Sequence, residues 1–382
     1  ATVLVPQAMA YARLAGLPAV YGLYAAFLPP VVAALWGSSR QLATGPVAMA
    51  SLISAATVGA LSLQTPEAFV HASILLALLV GILRVGLGLL RLGILVNLLS
   101  TPVVVGFSNA AALIIAGSQL HSILGVERGH ESLFLASLAI EMQRALGGVE
   151  WQTLGMATLA LAIMLALRQR HERVMIAVAI TTVLAWLIGY EGAIVGDIPR
   201  GLPSLSIPNI DTVIMWQLLP GAFVLTLIGL MEAMSIARTI ATRTKQHIDI
   251  NQELIGQGMA NLVGGVFNSY AVSGSFSRSA INFGAGAASG LSSVVTSAIV
   301  MLTLLYLTPL FYYLPQATLA IVIMLAVLSL VRITAVRRAW QVSRADGGIA
   351  LVTFLVTLAL APQLHWGIVT GVLLSLGHFL RR

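Results

Sequence analysis

The chain has 382 residues, of which 58% are hydrophobic and only 9% are charged, and its formal net charge is +7. Soluble domains typically carry about 25% charged residues, so this composition excludes an ordinary soluble protein. The sequence contains no cysteine, which excludes disulfides and thiolate chemistry. Its basic residues fall in short loops between apolar runs, which argues against a nucleic-acid partner.

Apolar runs close to the membrane-spanning length of about 20 residues recur along the whole chain. The sequence therefore predicts an all-α polytopic membrane protein with a single membrane domain. Clear examples of these runs are residues 73–90, 153–167, 174–189, 218–231, 291–307, 317–331 and 347–361.

Basic residues form clusters between these runs. With every cluster in the cytoplasm, the positive-inside rule gives about fourteen spans and two cytoplasmic termini. The chain is apolar from its first residue, so we expect an incomplete first span; it ends directly after a span, so we expect a cytoplasmic extension. The clusters are Arg40, Arg84 with Arg91, Arg168 with Arg170 and Arg173, Arg238 with Arg243 and Lys245, Arg332 with Arg337, Arg338 and Arg344, and Arg381 with Arg382.

A Pro- and Gly-rich, non-periodic stretch divides the sequence into two halves. We assign residues 1–190 to a first repeat, 191–216 to the connection and 217–382 to a second repeat. Each half contains one interrupted apolar segment, "SSRQLATGPVAMASLI" in the first and "NSYAVSGSFSRSAIN" in the second. Each segment predicts a short extended stretch that leads into a half-helix. Gly45 and Gly274 suit the close turn, and Pro46 suits the first helical turn.

Interrupted segments at corresponding positions of two halves indicate an inverted-repeat transporter whose site lies at the bilayer midplane. The charge pattern makes the first segment enter from the cytoplasm and the second from outside. Their helix N-termini should therefore face each other, and the converging N–H groups and positive dipole ends favour an anion.

Two ionisable residues stand out because charges within a membrane span are costly and usually functional. Arg278 lies near the positive end of its predicted half-helix and needs a negative partner, either the transported anion or Glu232. Glu232 is the only acid deep within an otherwise apolar span, and it either carries a coupling proton or forms a structural pair with Arg278. Gln7 and Tyr11, four residues apart on the first helix, share a face that either lines the cavity or packs against another helix.

Enzyme and metal motifs are incomplete. "HERVM" and "HESLF" lack the second histidine of a zinc-protease helix, and "GFSNA" lacks the last glycine of a nucleophile elbow. We therefore expect no enzyme activity, no metal and no cofactor other than a coupling proton.

The segment "VPQAMAYARLAGLPAVYGLYAAFLPPVVAALWGSSRQLATGPVA" closely resembles the opening signature of the SulP family of sulfate permeases and solute carrier anion transporters. "HIDINQELIGQGMANLVGGVF", followed by "SGSFSRSAIN", resembles that family's second signature. The resemblance covers essentially the whole chain. It implies a 7+7 inverted repeat with core and gate domains, a homodimer, and an anion site between the half-helices of spans three and ten. It also suggests a bacterial member in the inner membrane.

The resemblance assigns site positions residue by residue. It places Gln7 and Tyr11 at the cavity, Thr44, Gly45, Pro46 and Val47 at the start of span three, Phe276, Ser277 and Arg278 at the start of span ten, and Glu232 on span eight facing the site. Family members usually carry a cytoplasmic STAS domain after the last span, and this chain ends before one.

The sequence thus favours a secondary active transporter of small anions that works by alternating access. Sulfate, bicarbonate and dicarboxylates such as fumarate are the candidate substrates, and proton-coupled symport is the expected mode. A nucleobase transporter of the same fold and a passive anion channel remain alternatives. A nucleobase site would present acidic or amide groups, whereas Arg278 and the converging helix N-termini argue for an anion.

Overall fold

The computed structural model describes residues 3–94, 100–127, 129, 133–170, 172–206, 208, 211–328, 330–331 and 333–380. Arg332, Arg381 and Arg382 of the predicted basic clusters lie outside these ranges. The helices are α1 (Leu4–Leu14), α2 (Ala19–Trp36), α3 (Ala48–Gly59), α4 (Pro66–Leu89), α5 (Thr101–Gly117), α6 (Leu120–Leu124), α7 (Phe134–Gly147), α8 (Trp151–Ala166), α9 (Arg173–Ile188), α10 (Thr212–Thr244), α11 (Ile250–Val266), α12 (Phe276–Gly284), α13 (Leu291–Leu302), α14 (Gln316–Leu328), α15 (Ile333–Val342), α16 (Arg344–Ala359) and α17 (His365–Leu380). The strands are β1 (Thr44–Gly45) and β2 (Ser273–Gly274).

Several membrane-spanning segments consist of more than one of these helices. α5 joins α6 as Thr101–Leu124, α13 continues to Phe311, and α14 joins α15 as Gln316–Gln341, while α7 and α8 form a pair bent by 112°. Among the described residues, six such segments are long and apolar enough to cross a bilayer, or up to seven with the bent pair. Counted with the shorter helices, and with the bent pair as one, the described residues form seven helical segments that begin before residue 191 and seven that begin after it. This agrees with the predicted 7+7 organisation of a multi-pass membrane protein.

The chain divides into two compact units. The first unit comprises Ala1–Asn97 and Pro199–Thr308, and it contains α1 to α4, α10 to α13 and both strands. The second unit comprises Leu98–Ile198 and Pro309–Arg382, and it contains α5 to α9 and α14 to α17. Each unit therefore draws helices from both halves of the sequence. α10 begins within the assigned connection because the Asp211 carboxylate accepts hydrogen bonds from the N–H groups of Val213 (2.8 Å) and Ile214 (3.3 Å).

Glycines allow the helices within each unit to pack closely, which is the usual device where lipid removes the hydrophobic drive for helix association. A Cβ at Gly258 of α11 would lie 2.7 Å from the backbone nitrogen of Val85 and 2.9 Å from the carbonyl oxygen of Gly81 on α4. In the second unit, a Cβ at Gly106 of α5 would lie 2.2 Å from the carbonyl oxygen of Ala350 on α16. Backbone atoms cannot rotate away, so larger side chains would separate the helices.

Replacing Gly258 by alanine is expected to destabilise the first unit by about 1–3 kcal/mol, because overpacking forces the α4 and α11 backbones apart. Thermal unfolding of the detergent-solubilised protein, followed by fluorescence-detected size exclusion, measures the change. Gly86→Ala on α4 is the matched control, since a Cβ there meets nothing within 4 Å. Equal melting temperatures for the two variants would contradict the close approach of α4 and α11.

The predicted extended stretches are confirmed as two short strands. β1 and β2 pair antiparallel, with Thr44 opposite Gly274 and Gly45 opposite Ser273. Since antiparallel strands lead into their helices in opposite directions, the N-termini of α3 and α12 converge at this pair. The prediction that Pro46 lies in the first turn of the half-helix is wrong. α3 begins at Ala48 after the extended N-cap Val47, and the Pro46 carbonyl instead accepts a hydrogen bond from Arg278.

The grouping of Arg84 with Arg91 in a cytoplasmic cluster is also wrong. Arg84 lies within α4 and is fully buried. Its Nη1 donates to the carbonyl oxygen of Val272 (3.0 Å) and its Nη2 to that of Leu225 on α10 (3.2 Å). Gly229 makes room for the guanidinium, because a Cβ there would lie 2.1 Å from Nη2. Arg84 therefore ties α4, α10 and the approach to β2 together.

Candidate functional site

Arg278 stands in the first turn of α12, where the two half-helix N-termini meet. Its Nη1 donates to the carbonyl oxygen of Pro46 at 2.8 Å. Its Nε and Nη2 are buried and have no hydrogen-bond partner among the described residues. Gly45 has a positive φ of +147°, and a Cβ there would lie 3.2 Å from Nη2. The strand therefore brings bare backbone against the guanidinium, two of whose nitrogens are left without an acceptor among the described residues.

A cavity of about 200 Å³ adjoins Arg278 within the first unit. α1, α2, the β1 segment, α12 and α13 each contribute to its wall. Val3, Leu4 and Pro30 form part of its apolar side. Its polar lining consists of Thr44, Arg278, Asn282, Ser292, Ser293 and Thr296. The Asn282 amide and the Ser292 and Thr296 hydroxyls already donate to acceptors within the protein. Among the described residues, the polar lining that keeps unused donors is therefore Thr44, Ser293 and Arg278, and a guanidinium with nearby hydroxyls suits a compact anionic ligand.

α12 also holds the backbone that precedes β1. The Ser279 hydroxyl oxygen accepts a hydrogen bond from the N–H of Ala43 at 2.8 Å. The Asn282 amide donates to the carbonyl oxygen of Gln41 (3.2 Å) and to the Ser292 hydroxyl (2.9 Å). The strand segment of one half is therefore held by the half-helix of the other.

A polar face of α11 holds both extended stretches, and sequence reasoning missed it. Gln257 Nε2 donates to Thr44 Oγ1 at 2.7 Å. Asn261 donates to the Val272 carbonyl oxygen (3.1 Å) and accepts from the Val272 N–H (2.9 Å). Glu253 belongs to the same face and is almost completely buried. The spacing of four residues between Glu253, Gln257 and Asn261 in "QELIGQGMAN" was the available signal.

Glu232 on α10 is the charge partner expected near Arg278. It is partly buried, and its carboxylate interacts electrostatically with the guanidinium groups of both Arg278 and Arg84. The Tyr11 hydroxyl is within the electrostatic reach of Glu232 and Arg278. One acid therefore serves two buried cations, and its role as a proton carrier stays a prediction.

The other predicted site residues differ in burial, and some of them do not line the cavity beside Arg278. Gln7 and Tyr11 are both buried on α1, and the side-chain amide oxygen of Gln7, Oε1, has no hydrogen-bond partner in the described ranges. Val47 is buried at the N-cap of α3. Phe276 and Ser277 lie in the first turn of α12 with exposed side chains, and neither lines the cavity. The assignment of all these residues to an anion site stays a prediction.

The fold is that of a 7+7 inverted-repeat transporter with core and gate domains. The murine solute carrier 26 family member A9 anion transporter, solved in an inward-facing state, superposes with a TM-score of 0.90 at 26% identity, over 99% of this chain and 66% of that one. The transmembrane domain of a cyanobacterium bicarbonate transporter, BicA, superposes with a TM-score of 0.84 at 21% identity, over 97% of this chain and 94% of that one. The first unit carries the paired half-helices, and we call it the core domain.

The family follows from the sequence comparison. The model of the sulfate permease family matches residues 1–353, so the chain belongs to that family and the predicted resemblance is confirmed. The chloroplastic sulfate transporter 4.1 of Arabidopsis thaliana is 37% identical over 98% of this chain. The alignment covers 55% of that relative, so the chain spans little more than half of its length. The family assignment agrees with the expectation that the chain is not an enzyme.

Proposed function

We propose that this chain is the membrane domain of a secondary active transporter that carries a small anion by alternating access. The observation that carries the proposal is the Arg278 guanidinium, whose Nε and Nη2 are buried without a partner among the described residues. Leaving such donors unsatisfied costs about 1–3 kcal/mol each. The positive dipole ends of α3 and α12 add to the attraction. A bound anion would accept hydrogen bonds from Nε and Nη2 and would interact favourably with the two dipole ends.

The shape of the unpartnered Arg278 donors supports the proposed substrate class. Nε and Nη2 form one edge of the planar guanidinium, and this fork matches two oxygens of one oxyanion or carboxylate. Sulfate, bicarbonate and dicarboxylates such as fumarate all present such a pair. Relatives named as sulfate and anion transporters support the same class.

We infer proton coupling from the position of Glu232. Its carboxylate attracts Arg278, so it competes with an incoming anion for the guanidinium. A proton on Glu232 removes that competing charge and therefore favours anion binding. Linkage makes the effect reciprocal, so a bound anion favours the proton as well. This supports symport of anion and proton.

The assembly that we propose around this membrane domain rests on the family resemblance and, for the location of the termini, on the distribution of basic residues. It is a homodimer in a bacterial inner membrane, with both termini in the cytoplasm and a STAS domain after the last span. We also propose that residues 1–190 and 217–382 are the two inverted repeats, joined by residues 191–216. The seven described helical segments that begin before residue 191 and the seven that begin after it support this division.

Uptake into proteoliposomes tests the proposal. The purified protein is supplied with labelled sulfate, bicarbonate, fumarate, succinate or uracil, with and without an inward proton gradient. We expect saturable uptake of at least one anion, and we expect the proton gradient to raise it. Uptake of uracil alone would support the nucleobase alternative, and anion flux that does not saturate would support a channel.

Glu232→Gln is expected to abolish the stimulation by the proton gradient, because the amide cannot exchange the coupling proton. The ratio of initial uptake rates with and without the gradient should fall to about 1. Glu67→Gln, which alters an exposed carboxylate at the start of α4, is the matched control and should keep the wild-type ratio. If Glu232→Gln retains that ratio, Glu232 does not carry the proton.

A further inference from the structure

The Thr44 hydroxyl has one hydrogen-bonding role fixed by the protein and one left open. Thr44 lines the cavity beside Arg278, and its Oγ1 accepts a hydrogen bond from Gln257 Nε2 at 2.7 Å. In the described part of the chain, no acceptor receives the hydroxyl hydrogen. A hydroxyl has one donor and two lone pairs. Because Gln257 occupies a lone pair, the hydrogen of Thr44 is available to a ligand in the cavity.

The orientation of the Gln257 side-chain amide decides whether the Thr44 hydroxyl donates or accepts toward the cavity. Glu253 fixes that orientation. Gln257 Nε2 also donates to Glu253 Oε1 at 3.3 Å. The side-chain amide oxygen of Gln257, Oε1, has no partner within the described ranges. If the amide turned by half a rotation, this oxygen would face the carboxylate oxygen of Glu253, and the two acceptors would repel each other. The turned amide would also accept the Thr44 hydrogen and leave only lone pairs toward the cavity.

The Glu253 carboxylate is itself held in place. Its Oε2 accepts hydrogen bonds from the N–H groups of Ser38 (2.9 Å) and Ser39 (3.0 Å), while the Ser38 hydroxyl donates to the carbonyl oxygen of Asp249 at 3.0 Å. Both oxygens of the Glu253 carboxylate therefore accept hydrogen bonds, Oε2 from the N–H groups of Ser38 and Ser39 and Oε1 from Gln257 Nε2. Two residues of α11, neither of which lines the cavity, thus control which way the Thr44 hydroxyl points.

We propose that Glu253, acting through Gln257, is a positioning residue that makes Thr44 a hydrogen-bond donor toward the cavity and so sets the preference of the site for an anion. The inference rests on the proposed function, because it takes an anion to be the ligand beside Arg278. In this proposal Glu253 favours anion binding although it is an acid, because it acts by orienting the Gln257 amide and, through it, the Thr44 hydroxyl.

A double-variant cycle tests the relay. KM and maximal rate are measured in proteoliposomes with labelled sulfate, bicarbonate and fumarate for Glu253→Gln, Thr44→Val and the double variant. In Glu253→Gln, the new amide lets Gln257 turn, and Thr44 then presents lone pairs to the anion. Each single variant is expected to raise KM about 10- to 100-fold, the range for one hydrogen bond to a charged group. The double variant should be no worse than Thr44→Val alone, within about threefold.

The controls separate positioning from a loss of structure. Glu67→Gln, which alters an exposed carboxylate at the start of α4, is the control, and its KM should stay within about threefold of wild type. If Glu253→Gln folds poorly, Gln257→Met removes the orienting amide instead, and its effect should likewise vanish in the Thr44→Val background. A structural role would lower the folded yield and the maximal rate in both backgrounds.

Two outcomes would overturn the inference, and they are distinguishable. Multiplicative effects of Glu253→Gln and Thr44→Val on KM, in a protein whose uptake depends on Arg278, would refute the relay and leave the proposed function intact. Absence of saturable uptake of all three anions by the wild-type protein would refute both.

Discussion

Replacing Arg278 by alanine is expected to reduce anion uptake by at least about a hundredfold. Each hydrogen bond from a charged group contributes about 1.5–3 kcal/mol, and the guanidinium offers two unused nitrogens to one ligand. Their joint loss corresponds to about 3–6 kcal/mol, and each 1.4 kcal/mol is a factor of ten in affinity. Initial uptake rates of labelled sulfate and fumarate, normalised to folded protein, measure the effect.

Arg278→Lys distinguishes charge from shape. Lysine keeps the positive charge but lacks the planar fork, so we expect a defect between those of wild type and Arg278→Ala. Arg40→Ala, which removes an exposed arginine four residues before Thr44, is the control for net charge and should transport normally. Normal uptake by Arg278→Ala would exclude Arg278 from the anion site and remove the main support for the proposed function.

The broken helices could be predicted from the sequence because local residue chemistry determines them. Glycine and serine before an apolar run interrupt a helix wherever the rest of the chain places them. The extended strands at Thr44–Gly45 and Ser273–Gly274 and the helix start at Phe276 therefore agree with the prediction. Pro46 was misplaced because its fixed φ suits both an extended segment and a first helical turn. In the extended conformation, the carbonyl oxygen of Pro46 accepts a hydrogen bond from Arg278, which lies 232 residues away in the sequence.

The relay on α11 could not be predicted, because a spacing of four residues identifies a shared helix face and not its partners. Gln257 bonds Thr44 across 213 residues, and Glu253 bonds Ser38 across 215 residues. Such pairings depend on how α11 packs against the loop before β1. The prediction that Arg84 lies in a cytoplasmic cluster was wrong for a related reason. It lies near one end of the apolar run 73–90, where an arginine that reaches solvent and one buried against α10 give the same hydropathy pattern.

Arg84→Met is expected to lower the free energy of unfolding of the core domain by about 3–5 kcal/mol, because it removes a fully buried charge together with the two hydrogen bonds that this charge donates. Methionine keeps much of the side-chain volume, so a cavity contributes little. The loss comes from the Glu232 carboxylate, which no longer has the Arg84 charge nearby, and from the carbonyl groups of Val272 and Leu225, which lose their donors. Thermal unfolding in detergent, followed by size exclusion, measures the effect.

The double variant Arg84→Met/Glu232→Gln tests whether Glu232 is the charge that Arg84 compensates. Removing both members of a buried pair is often close to neutral, whereas removing one is not. The double variant should therefore unfold at a higher temperature than Arg84→Met, although both lack the arginine. Arg243→Met, at an exposed position in the last turn of α10, should leave the melting temperature near that of wild type. If the double variant is as unstable as Arg84→Met, the lost hydrogen bonds to Val272 and Leu225 explain the instability. Glu232 would then be balanced by Arg278 alone, the arrangement in which a bound anion competes with it most directly.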